Sequence, residues 1–388
     1  MNGRSTVRMD RVQTPMIPVV GEWVAQHPGT ISLGQGVVHY SAPIEVHQAV
    51  GDASMNDPRV DRYALVRGID ELLAEIDVKV ERENGVLLDK TSTVVTAGSN
   101  MGFLNAVLAV ADVEDEIILF SPYYFNHEMA IDIAGCKPVV VPTDDQYQMD
   151  LKGLEEAITE RTRAIVTVSP GNPTGVVFSS ESLATVNAWC RERNIYHISD
   201  EAYEYFLYGD GEHFSPSSLP NSSGHTISLF TLSKAYGMAG WRMGYMIIPK
   251  HLETSVKKIQ DTNLVCPPII NQIAATKALQ LGREWCASQT AGFESVRDMV
   301  LCEFGKLGDR CDVPRPDGAF YALVRLQTDK TDMELVERLI RDFGIAVMPG
   351  RTFGVHEPCS IRIAYGALDS KTVAEGMGRL VRGLDQLL

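Results

Sequence analysis

Thr231-Leu232-Ser233-Lys234 closes a β-rich run, and a glycine-rich stretch through Gly244 follows it. A lysine is ordinarily a solvated side chain. One set between a strand and a glycine-rich segment, with Arg242 close in sequence, has another use. Desolvation and a nearby cation lower an amine's pKa and let it form a Schiff base. Asp200 closes a second β-rich run, with Glu201 and Tyr203 just behind. An acid there is most often a helix N-cap; reaching a ring nitrogen, it would keep that nitrogen protonated. Gly98-Ser99-Asn100 opens a helix, where free amides and the positive end of the dipole suit a phosphate. By itself a Gly-Ser before a helix is usually a turn and a cap. Ser169 to Gly175 holds two prolines and two glycines, a rigid loop in which the Asn172 amide is held still. Neither G-x-x-x-x-G-K-[ST] nor G-x-G-x-x-G occurs, so a nucleotide is not the obvious ligand.

These clusters need elements to hold them. The sequence predicts strands over 93–97, 116–120, 138–141, 163–168, 195–199, 227–231 and 245–248. Helices are expected over 99–111, 124–134, 151–158 and 181–193. Short, continuously apolar strands separated by helices indicate an α/β fold with a sheet covered on both faces. Each chemical cluster follows a strand, and open α/β sheets bind ligands at the carboxyl ends of their strands. The clusters therefore converge on one pocket. After about residue 280 the rhythm changes to a helix over 293–307, short strands over 319–324, 346–348 and 360–364, and a last helix carrying Val373, Met377, Leu380, Val381, Leu384 and Leu388 on one face. The first forty-odd residues have few strand signals and many Pro and Gly, and read as an arm packed elsewhere on the molecule.

The chain has 388 residues, 45% hydrophobic and 22% charged, an ordinary globular composition long enough for a large and a smaller domain. Its net charge of -15 disfavours nucleic acid as a partner. No apolar stretch is long enough to cross a bilayer, and the polar start Met1 to Arg11 does not resemble a signal peptide, so a cytoplasmic protein is expected. The seven cysteines are widely spaced with no C-x-x-C; they read as reduced, mostly buried thiols, and no metal site is expected.

T-L-S-K-x-x-G-x-x-G-x-R-x-G (Thr231 to Gly244), with G-N-P-T-G (Gly171 to Gly175), D-E-A-Y (Asp200 to Tyr203) and S-I-R-I-A-Y (Ser360 to Tyr365), resembles the class I aminotransferases of pyridoxal-5′-phosphate (PLP) fold type I. The resemblance runs from Leu33 to Arg362. It implies a mixed, mostly parallel seven-stranded sheet flanked by helices, with a smaller α/β domain. The implied division is an N-terminal arm and part of the small domain over 1–45, a large PLP-binding domain over 46–280 and a small C-terminal domain over 281–388. It also implies roles. Lys234 would carry PLP as a Schiff base and shuttle the proton. Asp200 would pair with the pyridine nitrogen. Tyr203 and Asn172 would bond the ring oxygen, and Tyr124 would stack on the ring. Gly98, Ser99, Asn100, Thr231 and Arg242 would hold the phosphate. Tyr63 would reach the phosphate of a neighbouring subunit, which implies a homodimer with shared sites. Arg362, with Gly36 and Asn172, would receive the substrate carboxylate. Cis bonds are expected before Pro122 and Pro173.

Three further segments, Leu33 to Tyr40, Pro122 to Ala130 and Tyr236 to Tyr245, are similar to a plant-type aromatic aminotransferase group that takes Trp, Tyr or Phe and exchanges with methionine. Val37, Val38 and Tyr40 suggest an apolar side-chain pocket. The expected reaction moves an amino group from an aromatic amino acid or methionine to a 2-oxo acid. A PLP-dependent C–S β-lyase on the same fold uses the same residues and is the first alternative; an aminocyclopropane-carboxylate synthase-like reaction is a remoter one. A non-catalytic PLP-binding regulator would carry a DNA-binding domain, which the acidic charge and the absence of a basic helix-turn-helix argue against. Arg351, beside the Pro349-Gly350 turn, reads as solvated, with contact to substrate the alternative.

Overall fold

In the protein, described over residues 6–388 by a computed structural model, the chain opens with two helices, α1 (Val7–Arg11) and α2 (Met16–Gln26), and a short strand, β1 (Ile31–Ser32). The first five residues of the expected arm lie outside the described residues. Two helices, α3 (Ile44–Asn56) and α4 (Asp70–Asn84), then lead into a regular alternation. It runs β2 (Thr91–Thr96), α5 (Ser99–Val110), β3 (Glu116–Ser121), α6 (Phe125–Ala134), β4 (Lys137–Pro142), α7 (Leu151–Ala157), β5 (Thr162–Val168), α8 (Ser180–Arg193), β6 (Tyr196–Asp200), β7 (Thr226–Thr231) and β8 (Gly244–Pro249). Each expected strand and helix of this region forms, within a residue or two of its expected ends.

The seven strands order as β2-β8-β7-β6-β5-β3-β4. Only β8 runs against its neighbours; the other pairings are parallel. Parallel strands need both faces covered, and the sequence supplies this with near-continuous apolar runs. Ile117, Ile118 and Leu119 are all at most 1% exposed, with Ile117 and Leu119 packing on one side of the sheet and Ile118 on the other. Full burial of such a side chain stabilises by about 1.5–3 kcal/mol. Shortening Ile118 to Ala would open a cavity on one face only.

The remainder is α9 (Glu253–Asn263), α10 (Ile269–Thr290), α11 (Phe293–Gly305), β9 (Cys311–Asp312), β10 (Tyr321–Leu326), α12 (Asp332–Phe343), β11 (Ile345–Ala346), β12 (Met348–Pro349), β13 (Ser360–Ala364) and α13 (Ser370–Leu387). Helix α10 breaks its helical backbone at Gly282, where φ is 68°. Helix α12 shows its limits in sequence: Thr331 caps the amide of Glu334, and Gly344 ends it in the left-handed conformation. β12, β13, β10 and β9 form a four-stranded sheet.

One expectation changes here. The strand expected over 346–348 is two short strands in different sheets. β11 pairs with β1, and β12 pairs with β13, because the chain must leave one partner for another within three residues. The N-terminal segment is packed against the later part of the chain: β1 runs parallel to β11, and Ala364 of β13 donates its amide to the Leu33 carbonyl at 2.7 Å. Two-residue strands carry no periodic signal for a sequence to show. The peptide bonds before Pro122 and Pro173 are cis as expected, as are those before Pro170 and Pro358. No disulfide forms among the seven cysteines, five of them buried.

Candidate active site

The carboxyl ends of β5, β6 and β7 and the start of α5 enclose one cavity. Its walls include Ser99, Asn100, Tyr124, Asn172, Asp200, Tyr203, Thr231, Ser233, Lys234 and Arg242. Of the sequence-expected residues, Ser99, Asn100, Tyr124, Asn172, Asp200, Tyr203, Thr231, Lys234 and Arg242 are brought together here from positions far apart in the chain.

At one end, α5 begins at Ser99 after Gly98, whose φ of 79° favours glycine. A Cβ at Gly98 would lie 2.5 Å from Arg242 Nη2, so the guanidinium packs directly over this backbone. Arg242 itself donates to the Ala239 carbonyl at 2.8 Å. Thr231 Oγ1 accepts from the Ser233 amide at 3.1 Å and donates to Ser233 Oγ at 2.9 Å. Free helix amides, two hydroxyls and a guanidinium facing one space fit a phosphate dianion.

At the centre, Asp200 is 4% exposed. Its Oδ1 accepts from the Ala202 amide at 3.2 Å, and its Oδ2 lies 3.1 Å from His127 Nε2. His127 stacks on Phe103 with ring centroids 4.0 Å apart and meets the edge of Tyr124 at 5.1 Å. No helix follows β6, only a turn that the Ala202 contact closes, so Asp200 is not a helix cap; it is a carboxylate in the cavity wall.

Lys234 donates to the Gly36 carbonyl at 2.7 Å. Loss of water, then the cations Arg362 and Arg242, push its pKa down to about 8, against the opposing pull of Asp200. An amine so placed is half neutral near pH 8 and is a competent nucleophile.

At the other end, β13 brings Arg362 in from the second sheet, 2% exposed. It donates to Asn172 Oδ1 at 3.0 Å and to the Gly34 carbonyl at 2.7 Å. Its Nε is buried without a hydrogen-bond partner among the described residues, the condition of a guanidinium awaiting an anion. Tyr321 of β10 and Phe353 flank it, at 4.8 and 4.7 Å from ring centroid to guanidinium carbon.

Three residues here escaped sequence reading. His127 lies inside the segment Pro122 to Ala130 without a motif of its own. Ser233 adjoins the lysine. Tyr321, fully buried, donates to or accepts from Tyr203 Oη at 2.8 Å across 118 residues of sequence. Its only signal was an aromatic at the start of an expected strand. Tyr63 is 84% exposed and outside the cavity wall. Arg351 keeps its side chain 40% exposed, as the solvated reading expects, while its Nε pairs with Asp332 Oδ1 at 2.5 Å.

The donor set fits PLP: a phosphate seat, a carboxylate for a pyridine nitrogen, hydroxyl and amide groups for a ring oxygen and an amine for an aldehyde. The family described as aminotransferase class I and II matches residues 28–380. The chain is 30% identical over 383 residues to the aromatic aminotransferase ISS1 of Arabidopsis thaliana, covering 96% of this chain and 94% of that one. It is 34% identical over 335 residues to a probable aspartate/prephenate aminotransferase of Aquifex aeolicus, covering 84% of each. A solved structure of a Thermus thermophilus aspartate aminotransferase double mutant superposes with a TM-score of 0.90 at 29% identity, over 99% of this chain and 100% of that one.

Proposed function

The chain belongs to the class I and II aminotransferases, a PLP-dependent family acting on amino and 2-oxo acids, and from that premise we propose that its amino donors are aromatic amino acids and methionine. The observation that carries this reading is the charge inventory of the cavity. Its wall holds two cations, Lys234 and Arg242, one placed for the aldehyde and one for the phosphate. Arg362 has a free Nε for one carboxylate. Arg351, the further arginine close in sequence to β13, is neutralised by Asp332. A second carboxylate would find no counter-charge from these groups, whereas Val37, Val38 and Tyr40 adjoin Gly36. Likeness to an aromatic aminotransferase supports the reading; likeness to an aspartate/prephenate one keeps aspartate as the rival. Apolar pockets separate similar side chains weakly, so breadth across Phe, Tyr, Trp and Met is expected.

PLP, when bound, supplies an electron sink for the charge left at the substrate α-carbon. The chain's own residues do the rest. Ser99, Asn100, Thr231 and Arg242 anchor the phosphate. Asp200, held by His127 and the Ala202 amide, keeps the pyridine nitrogen protonated. Arg362 orients the substrate by its α-carboxylate, with Asn172 fixing the guanidinium plane. Lys234 Nζ, freed as the neutral amine, takes the α-proton and returns it, acting as general base and then acid. Two such sites are shared across a homodimer in this proposal, Tyr63 reaching the neighbouring copy. The proposed division near residue 280 puts Lys234 and Arg362 on different units.

The test is the visible absorbance of the PLP-loaded protein with one amino acid added and no 2-oxo acid. Bleaching by phenylalanine or methionine is expected. Bleaching by aspartate alone would keep the reaction and discard the substrate class, and pyruvate released from a cysteine conjugate without an acceptor would favour the lyase. Sedimentation as a monomer would defeat the shared site.

A further inference from the structure

Tyr203 Oη can donate one proton and accept two. Its hydrogen-bond neighbours among the described residues are Asn172 Nδ2 at 3.5 Å and Tyr321 Oη at 2.8 Å. The Asn172 amide has a determined orientation, because Arg362 is purely a donor and faces its Oδ1 at 3.0 Å. The NH2 group therefore points at Tyr203 and donates into it. What Tyr321 does then decides where the Tyr203 proton goes.

Tyr321 has no freedom of position. It is fully buried at the start of β10, opposite Ala364 of β13. Its ring stands edge-on to Tyr203, at 5.4 Å and 85°. The Arg362 guanidinium lies 4.8 Å from its centroid. Its hydroxyl is so close to the Gly36 backbone that a Cβ there would come within 2.6 Å. Among the described residues, Tyr203 Oη is the one hydrogen-bond partner of this hydroxyl. A cation beside the ring withdraws electron density and makes the phenol the stronger donor of the pair. The pKa directions agree. Burial raises both phenols, Tyr203 well above the ordinary tyrosine value and Tyr321 to about 12, and Arg362 draws Tyr321 back down.

We propose that Tyr321 is a positioning residue: its hydroxyl donates into Tyr203 Oη, fills the second lone pair there, and leaves the Tyr203 proton directed at the ring oxygen of bound PLP. The proposal rests on the role given above to Tyr203. It joins the carboxylate-binding side of the site to the cofactor side through two phenols in series, beside the link that Asn172 makes. Nothing in the sequence motifs contains it, because Tyr321 enters from the second sheet.

The experiment is a pH titration of the visible band of the PLP-loaded protein, without substrate, in the wild type, Tyr203→Phe, Tyr321→Phe and the double variant. Donation to the ring oxygen favours the deprotonated chromophore, so Tyr203→Phe raises the midpoint. Tyr321→Phe raises it in the same direction by a smaller amount, about half a pH unit, and adds nothing in the Tyr203→Phe background. Site-specific 3-fluorotyrosine at position 321, a stronger donor of nearly the same shape, lowers the midpoint; this arm serves also if Tyr321→Phe does not fold. A Tyr203→Phe shift with no shift from either change at 321 overturns the proposal and leaves the role of Tyr203 standing. Additive shifts in the double variant overturn it too, since Tyr321 would then act by another route. No shift from Tyr203→Phe overturns both. A Tyr321→Phe variant altered only in KM, with its midpoint unmoved, would reduce Tyr321 to packing against Arg362.

Discussion

Lys79 and Lys234 both lose their water, and the protein replaces it in opposite ways. Lys79, on α4, is 4% exposed. It forms a close ion pair with Glu204, donates to Asn84 Oδ1 at 2.7 Å, and lies 4.7 and 5.3 Å from the ring centroids of Phe230 and Tyr205. Each donor it carries meets an acceptor or a π face. Lys234 has the Gly36 carbonyl, two guanidinium cations in its field and a cavity in front of it. Lys79 is held against a carboxylate; Lys234, though Asp200 and the Tyr203 ring also lie near, faces burial and two guanidinium cations that disfavour its charged form. Burial by itself therefore makes no lysine reactive: the sign of the neighbouring charge decides.

The largest effect should come from Lys234. Lys234→Ala should lower the transamination rate roughly 10⁴-fold or more, the loss of both anchor and proton carrier, with circular dichroism unchanged. Lys79→Ala should do the reverse. Glu204, its side chain 11% exposed, would keep only the Asn84 amide and no counter-cation, at a cost of about 3 kcal/mol in a denaturant titration, while kcat of the folded fraction stays within a few-fold. Equal losses of rate in the two variants would break the contrast.

Arg362→Leu comes next: kcat/KM for phenylalanine should fall roughly 100-fold, the scale of about 3 kcal/mol for a lost charge-assisted pair. Then comes a pH effect in cofactor-free protein. The Lys234 amine has a folded pKa of about 8, below its ordinary value of 10.5, so the unfolded chain binds more protons between those values. Stability due to this group should rise with pH across that window, by no more than about 3 kcal/mol. Compared with Lys234→Met, the wild type should be the less stable at pH 7, and the two should converge near pH 10.5; a parallel pair of curves would show an ordinary lysine. Smallest of all, Lys79→Met with Glu204→Leu should cost about 1 kcal/mol or less in denaturant, since replacing a buried pair by apolar residues is often neutral. A cost as large as Lys79→Ala would show that the pair itself, not the avoidance of an unpaired charge, holds this region.

The two lysines also mark the reach of the sequence. Lys234 was legible because strand, turn and glycine-rich segment are local and ordered, and Asp200, Tyr203, Asn172 and Arg242 were legible for the same reason. Each sits at the end of a strand whose apolar run announces it, and strand ends gather on one edge of a parallel sheet. Lys79 carried no signal at all, because its partner Glu204 and its two aromatic faces come from distant segments. His127 and Tyr321 were missed likewise: each acts through a neighbour that folding alone supplies.

The sequence by itself thus determined the alternating α/β order and the residue types at the carboxyl ends of the strands. Those follow from periodicity, capping and turn chemistry within a few residues. The tertiary structure decided the rest. It split 345–349 between two sheets, laid residues 31–32 along β11, set Arg362 against Asn172, and placed Tyr321 behind Tyr203. Such contacts join segments far apart in the chain, where no local pattern records the partner; packing and charge choose it only once the sheets are formed.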